Sequence, residues 1–147
     1  MLRRTNHKAS APTPAKAPVA GSGTASIPTD GFSPKALFVD SHDVVWVGTY
    51  GGGVLRYKDG ALSRFTHFDG LASDDVLSFA ESPDGSLWIA TSDGLTQLSD
   101  LKFPTLSRHE GLAYDGALCV TAAPSGGVWV GTPNGISYYR DGKSTNY

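Results

Sequence analysis

The chain has 147 residues, of which 39% are apolar and 18% are charged, and its net charge is −2. This is enough apolar material for one modest core, and the absence of any run of about 18 apolar residues argues against a membrane-spanning helix. All 14 acidic residues but only 8 of the 12 basic ones lie from residue 30 onward, a net of −6 there, which argues against binding to nucleic acid.

Residues 1–29 differ in composition from the rest of the chain. They contain four basic residues and no acidic residue, they are rich in alanine and proline, and they show no hydrophobic period. Such a composition predicts a disordered basic leader. Arg3 and Arg4 could open an export signal, but the apolar stretch of about 7–15 residues that such signals need does not follow, so no signal peptide is predicted.

Three units follow, at 30–68, 69–109 and 110–147, and each opens on an acidic residue, a glycine and an apolar residue. Turn residues divide each unit into short apolar runs, which predicts four strands in up-and-down order, a to d. The predicted strands are 36–39, 44–49, 54–58 and 62–67 in the first unit, 76–80, 87–91, 95–98 and 106–109 in the second, and 117–122, 128–132, 136–139 and a fragment ending at 147 in the third. No window has a helical apolar period, so almost no helix is predicted.

A hexapeptide with a central tryptophan recurs once in each unit. The copies are Val44-Val45-Trp46-Val47-Gly48-Thr49, Ser86-Leu87-Trp88-Ile89-Ala90-Thr91 and Gly127-Val128-Trp129-Val130-Gly131-Thr132. The tryptophans are 42 and 41 residues apart, and repeats of about 40–45 residues built from short strands are typical of β-propeller blades. The sequence therefore predicts an all-β fold of about three four-stranded antiparallel blades. Because a closed ring has about four to eight blades, the propeller is expected to be partial.

Strand geometry gives the hexapeptide a packing role. In a pleated strand Trp46 and Gly48 share one face while Val45 and Val47 share the other, so both faces need apolar cover. A neighbouring blade supplies that cover, and the missing side chain at Gly48 leaves room beside the indole for bulk from the next blade. The predicted structural repeat core is Trp46, Gly48, Trp88, Ala90, Trp129 and Gly131. Stacking of a sugar or a nucleobase on the tryptophans is the less favoured interpretation.

Catalytic patterns are not evident in the sequence. His42, His67 and His109 occupy different places in their repeats and lack the spacing of metal ligands. Asp74 and Asp75 are adjacent, so in a strand they would point to opposite faces. No catalytic residue, metal or cofactor is therefore predicted. Cys119 is expected to be a small buried thiol in the first strand of the third unit.

The repeats resemble a known family. The segment Ser82-Pro83-Asp84-Gly85-Ser86-Leu87-Trp88-Ile89-Ala90-Thr91 and the similar run from Val45 to Val54 resemble the two-component regulator propeller repeat, and the resemblance extends over 30–147. It implies a periplasmic or extracellular sensor propeller of the kind found in hybrid histidine kinases, often in the context of polysaccharide sensing. It also implies ligand recognition without chemistry in the propeller.

A ligand of such a sensor would be expected at the end of the blades that gathers the b–c turns and the d–a connections. Loops on a rigid scaffold commonly carry recognition. The candidate ligand-binding residues are Tyr50, Asp74, Asp75, Asp93, Tyr114, Asp115 and Asn134. Each of them alone is also consistent with a solvated turn.

The leading hypothesis is a non-enzymatic sensor module, or a piece of one, that binds a carbohydrate or another small ligand. A propeller lyase is the alternative, because streptogramin lyases carry a similar Asp-x-x-Gly-x-hydrophobic-Trp pattern, and a protein-interaction scaffold is a third hypothesis. A third blade without a successor has a poorly protected edge. We therefore expect either a longer protein that supplies the missing blades, which is the favoured explanation, or a self-associating copy of the chain that completes the ring.

Overall fold

The computed structural model describes residues 14–15, 26–99 and 104–147. These ranges contain thirteen strands: β1 Pro14–Ala15, β2 Pro34–Val39, β3 Val45–Thr49, β4 Val54–Lys58, β5 Ala61–Phe65, β6 Val76–Glu81, β7 Leu87–Thr91, β8 Gly94–Leu98, β9 Thr105–Leu106, β10 Cys119–Ala122, β11 Val128–Thr132, β12 Gly135–Arg140 and β13 Lys143–Asn146. Antiparallel pairing joins β2–β5, β6–β9 and β10–β13 into three sheets, which are blade 1, blade 2 and blade 3.

The predicted fold class is confirmed. Within each blade the four strands pair in chain order, as an up-and-down blade requires. Helical structure in the described ranges consists of two 3-10 turns of three residues each, His67–Asp69 and Arg108–Glu110. No helix within those ranges is long and apolar enough to cross a bilayer. The described residues therefore form an arc of three blades.

The threonine that ends each hexapeptide fixes the turn into strand c. The hydroxyls of Thr49, Thr91 and Thr132 donate to the carbonyl of the glycine at the start of that strand, at 2.8, 2.9 and 3.0 Å. A short side chain that bonds to nearby backbone is a common way to close a turn. The repeated threonine thus sets the length of the second strand in all three blades.

The fourth strands differ from the predicted ranges. The sequence predicts 62–67 and 106–109 for the first two, but β5 ends at Phe65 and β9 has only two residues, because the chain turns into the 3-10 segments. Each segment begins with a capping box in which an acidic side chain accepts a hydrogen bond from the backbone of a hydroxyl residue. The pairs are Thr66 with Asp69 and Ser107 with Glu110. These boxes satisfy backbone donors outside the sheet, so the ladder stops. In blade 3 the predicted fragment is a full strand, β13, which pairs with β12.

Most of the predicted disordered leader, residues 1–29, lies outside the described residues. Of its described parts, Pro14–Ala15 pairs with Leu62 and Ser63 of β5, and Ile27 packs against a small core formed by Val47, Leu55 and Leu62. For the remainder of the leader, disorder stays a prediction.

Blades 1 and 2 bury an apolar core between their sheets. Trp46 and Val54 of blade 1 pack in one cluster with Val76 and Phe79 of β6 in blade 2. Gly48 lies in this contact, where a Cβ atom would be 2.6 Å from Cγ1 of Val76. A larger residue would force the two blades apart, because real Cβ atoms do not approach so closely.

Blades 2 and 3 repeat the arrangement. Trp88 and Leu95 of blade 2 pack with Val120 and Val128 of blade 3. The indole of Trp88 also meets the ring of Tyr139 edge-on, with 5.6 Å between ring centroids. Blade 2 is therefore covered on both faces.

The third tryptophan lies on an open face. Trp129 is 38% exposed, whereas Trp46 is 4% exposed, and the rings near Trp129 are those of Tyr138 and Tyr147 in its own blade. Cys119 lies on the same face, so its thiol is exposed, and the prediction that it is buried is wrong. The reason is that no further blade follows blade 3 within the described residues.

The first two indoles are also tied to the a–b turn. The Nε1–H of Trp46 donates to Oδ2 of Asp40 at 2.8 Å, and that of Trp88 donates to Oγ of Ser82 at 3.0 Å. Ala123, which has no side-chain acceptor, occupies the equivalent position of the third repeat. A buried indole N–H normally requires such an acceptor.

We predict that Trp88→Ala lowers the free energy of unfolding by about 3–5 kcal/mol, because it opens a cavity between blades 2 and 3 and removes the hydrogen bond from the indole to Ser82. Urea denaturation followed by circular dichroism measures the change. Phe68→Ala is the matched control, since Phe68 is exposed, and it should cost less than about 0.5 kcal/mol. Equal costs for the two variants would contradict the packing role of Trp88.

We also predict an acid-sensitive contribution from Asp40. Burial opposes ionisation of this carboxyl, but hydrogen bonds from the Trp46 indole and two backbone N–H groups outweigh it, so its pKa lies below the usual value of 3.8. A lowered pKa in the folded state gives stability that is present above the unfolded pKa and lost as the pH falls through the folded one. Asp40→Asn should therefore reduce stability at pH 7 and weaken its decline below about pH 4.

Urea denaturation at a series of pH values tests this, with Asp59→Asn in an exposed turn as control. The control should leave stability at pH 7 unchanged. An unaltered acid decline in Asp40→Asn would contradict the assignment.

Candidate functional site

The b–c turns and the d–a connections lie at the same end of the blades. The N–H of Gly51 donates to Oδ1 of Asp75 at 2.7 Å, and the N–H of Gly53 donates to the carbonyl of Asp74 at 2.9 Å. The N–H of Ser92 donates to the carbonyl of Asp75 at 3.1 Å. The loop end, as we call it, thus brings Tyr50, Asp74, Asp75 and Asp93 into one region, across two blades.

Three of the predicted ligand-binding residues make contacts that shape this end. Asp75 caps the turn at Gly51, and Asp115 accepts a hydrogen bond from the N–H of Arg108 at 3.0 Å. Asp74 accepts from the N–H of His67 at 2.6 Å and pairs with its imidazole Nδ1. Asp74 and Asp115 therefore support the 3-10 turns and Asp75 supports the b–c turn of blade 1, and a ligand-binding role for all three stays a prediction.

The other four predicted residues present accessible side chains at the loop end. Tyr50 and Tyr114 are exposed, as are Asp93 and Asn134. The two tyrosines are aromatic surfaces of the kind that a ligand could contact. Their role likewise stays a prediction.

A cavity of about 430 Å³ lies between blades 2 and 3, at the end of the blades opposite the loop end. We call it the junction cavity. The a–b turns of both blades and the c–d turn of blade 3 enclose it, and its principal side chains are Asp84, Trp88, Gln97, Pro124, Tyr139 and Arg140. Small-molecule sites commonly measure about 300–1,000 Å³ and combine apolar walls with a few polar groups.

Asp84 supplies a fixed negative charge in this cavity. Its Oδ1 accepts hydrogen bonds from the hydroxyl of Ser82 at 2.5 Å and from the N–H of Ser86 at 3.1 Å. The Ser82 hydrogen bond, followed by that from the Ser86 backbone, lowers the pKa of Asp84 below its usual value. Gln97 is held nearby, because its Nε2 donates to Oγ of Ser86 at 3.1 Å. Both side chains are thus oriented before any ligand arrives.

Arg140 lies over the a–b turn of blade 3. A Cβ atom on Gly126 would be 3.7 Å from its Cζ, and one on Gly127 would be 2.9 Å from its Cβ. The two glycines, both with positive φ, therefore leave the space in which the arginine lies. Its Nε donates to Oδ2 of Asp141 at 3.3 Å, and a guanidinium has about five N–H donors, so most of them remain for a ligand.

The arrangement suits non-covalent recognition. An ionised carboxylate, a guanidinium and an amide lie around the edge of two aromatic rings, Trp88 and Tyr139. In the described part of the chain no group of three or more His, Cys, Asp or Glu side chains is placed to hold a metal ion. The polar residues that line the cavity can form hydrogen bonds with a ligand, and the aromatic rings can contact its apolar faces.

No pattern in the sequence predicts this cavity. Its polar residues are scattered over two repeats and come together only when the blades pack. The repeats differ at two positions that bear on the cavity. Gln97 stands where the first repeat has Arg56, and the a–b turn of the third repeat has two glycines in a row.

Residues 70–93 match the family model of the two component regulator propeller. The match begins before β6 and ends in the b–c turn of blade 2, so it includes the central hexapeptide. The resemblance predicted from the three repeats is therefore confirmed.

Solved structures show the same relationship. The chain is similar to the extracellular domain assigned to a hybrid two component system of B. thetaiotaomicron, with 27% identity and a TM-score of 0.67 over 80% of this chain and 18% of that one. It also resembles virginiamycin B lyase of Staphylococcus aureus, with 16% identity and a TM-score of 0.64 over 86% of this chain and 45% of that one. The second likeness concerns the fold alone. The chain spans about a fifth of the first of these proteins and less than half of the second. Among curated proteins, none matches this sequence.

We predict that Asp74→Ala destabilises the protein by about 1–2 kcal/mol, because it leaves backbone and imidazole donors at the 3-10 turn without their acceptor. Asp93→Ala, an exposed aspartate at the same end, should change stability by less than about 0.5 kcal/mol. Urea denaturation of the two variants measures the difference. Similar small effects would mean that Asp74 does not support the turn.

Proposed function

We propose that this chain is a non-enzymatic ligand-sensing module of a two-component regulator, placed outside the cytoplasmic membrane, and that its ligand is a carbohydrate or another small polar molecule. The observation that supports this is the 27% identity to the extracellular domain of a hybrid two component system, maintained over 80% of the chain. The family match in blade 2 agrees with it. In such a module the propeller binds the ligand, and another part of the protein produces the signalling response.

The lyase alternative has less support. The similar lyase structures have 16% and 12% identity, which is evidence for the fold alone. A lyase would need a histidine beside an acid, and His67 with Asp74 is such a pair. Asp115 holds the backbone of Arg108 between blades 2 and 3 as Asp74 holds that of His67 between blades 1 and 2, so the repeated turn explains the carboxylate. The sensor hypothesis is therefore favoured.

A thermal-shift screen with neutral and acidic mono- and disaccharides tests the proposed function. Binding to the folded state alone should raise the midpoint of unfolding in a saturable way, since ligand at about 100 times its Kd contributes about 2.7 kcal/mol. One class of sugar should stabilise, and the others should not. Turnover of a streptogramin-type cyclic ester, lost in His67→Ala, would contradict the proposal and favour the lyase.

We further propose that another blade covers the open face of blade 3, supplied either by a longer protein, which is the favoured explanation, or by blade 1 of a second copy, which can be tested with this chain. Val54 and Phe65 in blade 1 are 0% and 5% exposed, because blade 2 covers them. The residues at the same repeat positions in blade 3, Ile136 and Tyr147, are 51% and 73% exposed. This face, which also holds Trp129, has the composition of a blade junction without its second half.

The outer face of blade 1 offers a smaller apolar surface on β2, because Val47, Leu55 and Leu62 of the same face are already buried with Ile27. Leu37 and Val39 on β2 are 72% and 55% exposed, and Leu37 occupies the repeat position of Phe79, which packs on Phe38 across the first junction. Two copies joined by two such contacts would close a ring of about six blades, within the range of known propellers. The association continues the interface that already joins the blades of one chain.

Size-exclusion chromatography with light scattering tests this over a range of protein concentrations. We predict a dimer that the double variant Trp129→Ser/Ile136→Ser converts to monomers, while Phe68→Ser, an exposed aromatic at the loop end, leaves the dimer intact. A monomer at every concentration would contradict the second-copy proposal, as would open chains of increasing size.

A further inference from the structure

We propose that the junction cavity is the ligand site of this chain and that it takes a neutral sugar of one or two rings, bound across blades 2 and 3. The inference rests on the proposed function for the class of ligand. The position of the site rests on the geometry of the cavity, which lies at the end of the blades opposite the loop end.

The first junction shows why the second one is open. In blade 1 the guanidinium of Arg56 lies over the ring of Trp46, with Cζ 5.8 Å from the ring centroid. Gln97 has the same repeat position in blade 2, beside Trp88, and its side chain is shorter and bonded to Ser86. The space that an arginine fills at the first junction is thus available at the second.

The polar groups of the cavity can form hydrogen bonds with the hydroxyl groups of a sugar. Asp84 is an acceptor held in its ionised form, and Arg140 is a donor with most of its N–H groups uncommitted. Vicinal hydroxyls of a sugar both donate and accept, so they can bridge such a pair. Because Asp84 and Asp141 together outweigh the one positive charge of Arg140, the cavity favours a neutral ligand over an anionic one.

The apolar groups suit the carbon faces of a sugar ring. Trp88 and Tyr139, whose rings meet edge-on, and Pro124 are the apolar residues that line the cavity. A volume of about 430 Å³ lies at the lower end of the range for small-molecule sites, which limits the ligand to one or two rings.

A ligand in this cavity would contact both blades at once. Asp84 and Gln97 belong to blade 2, whereas Tyr139 and Arg140 belong to blade 3. Binding would therefore add contacts across the junction and stabilise the contact between the two blades. A sensor could use this change in stability to report that the ligand is bound. The loop end is not required for this coupling.

Heteronuclear NMR of the full chain, titrated with glucose, maltose, cellobiose and galacturonic acid, tests the inference. We expect saturable shifts of the amides at 82–88, 125–127 and 139–142 with at least one neutral sugar, and weaker effects from galacturonic acid. The amides of 50–53 and 92–94 at the loop end should not shift. Binding that maps to the loop end would overturn the site and leave the proposed function intact, whereas no shift with any of the sugars would count against both.

Two variants make the assignment specific. Gln97→Arg should fill the cavity as Arg56 does at the first junction and reduce sugar affinity at least tenfold without loss of stability. Arg140→Met keeps much of the side-chain length but removes the donors, and it should also reduce affinity at least tenfold. The matched control Arg108→Met, at the loop end, should bind as the unaltered chain does. Unchanged affinity in both cavity variants would overturn the proposal.

Discussion

The structure depends on the burial of a tryptophan between successive blades. Each second strand is apolar on both faces, so it is stable only where a neighbouring sheet covers each side. Trp46 and Trp88 meet this condition through the first strand of the next blade, and Gly48 allows the close approach. The propeller arrangement follows from this requirement, because stacking short twisted sheets around an axis is one way to cover both faces of all of them.

The repeated positions that pack the blades also line the proposed ligand site. The pairing of the second and third strands is the same in the first two blades, while the residue opposite the tryptophan changes from Arg56 in the first blade to Gln97 in the second. The guanidinium of Arg56 covers the Trp46 ring, whereas Gln97 leaves a polar-lined cavity beside Trp88. The proposed site would thus arise from a substitution at a repeated position, consistent with the view that sites are added to folds.

The sequence was sufficient for the fold because the hexapeptide encodes it locally. The tryptophan, the small residue two positions later and the terminal threonine each have a physical reason within one strand and its turn. The fourth strands were predicted less well, since Thr66 and Ser107 cap 3-10 turns that compete with the ladder. The prediction that Cys119 is buried was wrong, because a further blade and not its own strand would have to cover that face.

The candidate site was harder to predict for a related reason. Asp74 and Asp115 are polar loop residues that the sequence suggests for recognition, and the structure shows that they also hold the turns of the repeat. A recognition role for them stays a prediction. The junction cavity, in contrast, is built from Asp84, Gln97 and Arg140, which no local pattern brings together. The cavity could not be predicted from the sequence because it depends on contacts between two blades.

Amide hydrogen exchange of the dilute protein tests most directly whether neighbouring blades stabilise each sheet. The account predicts that β7, which has a blade on both sides, exchanges only by global unfolding, whereas β12 and β13 exchange faster by local opening of the uncovered blade. Equal protection in all three blades, or the strongest protection in blade 3, would contradict it.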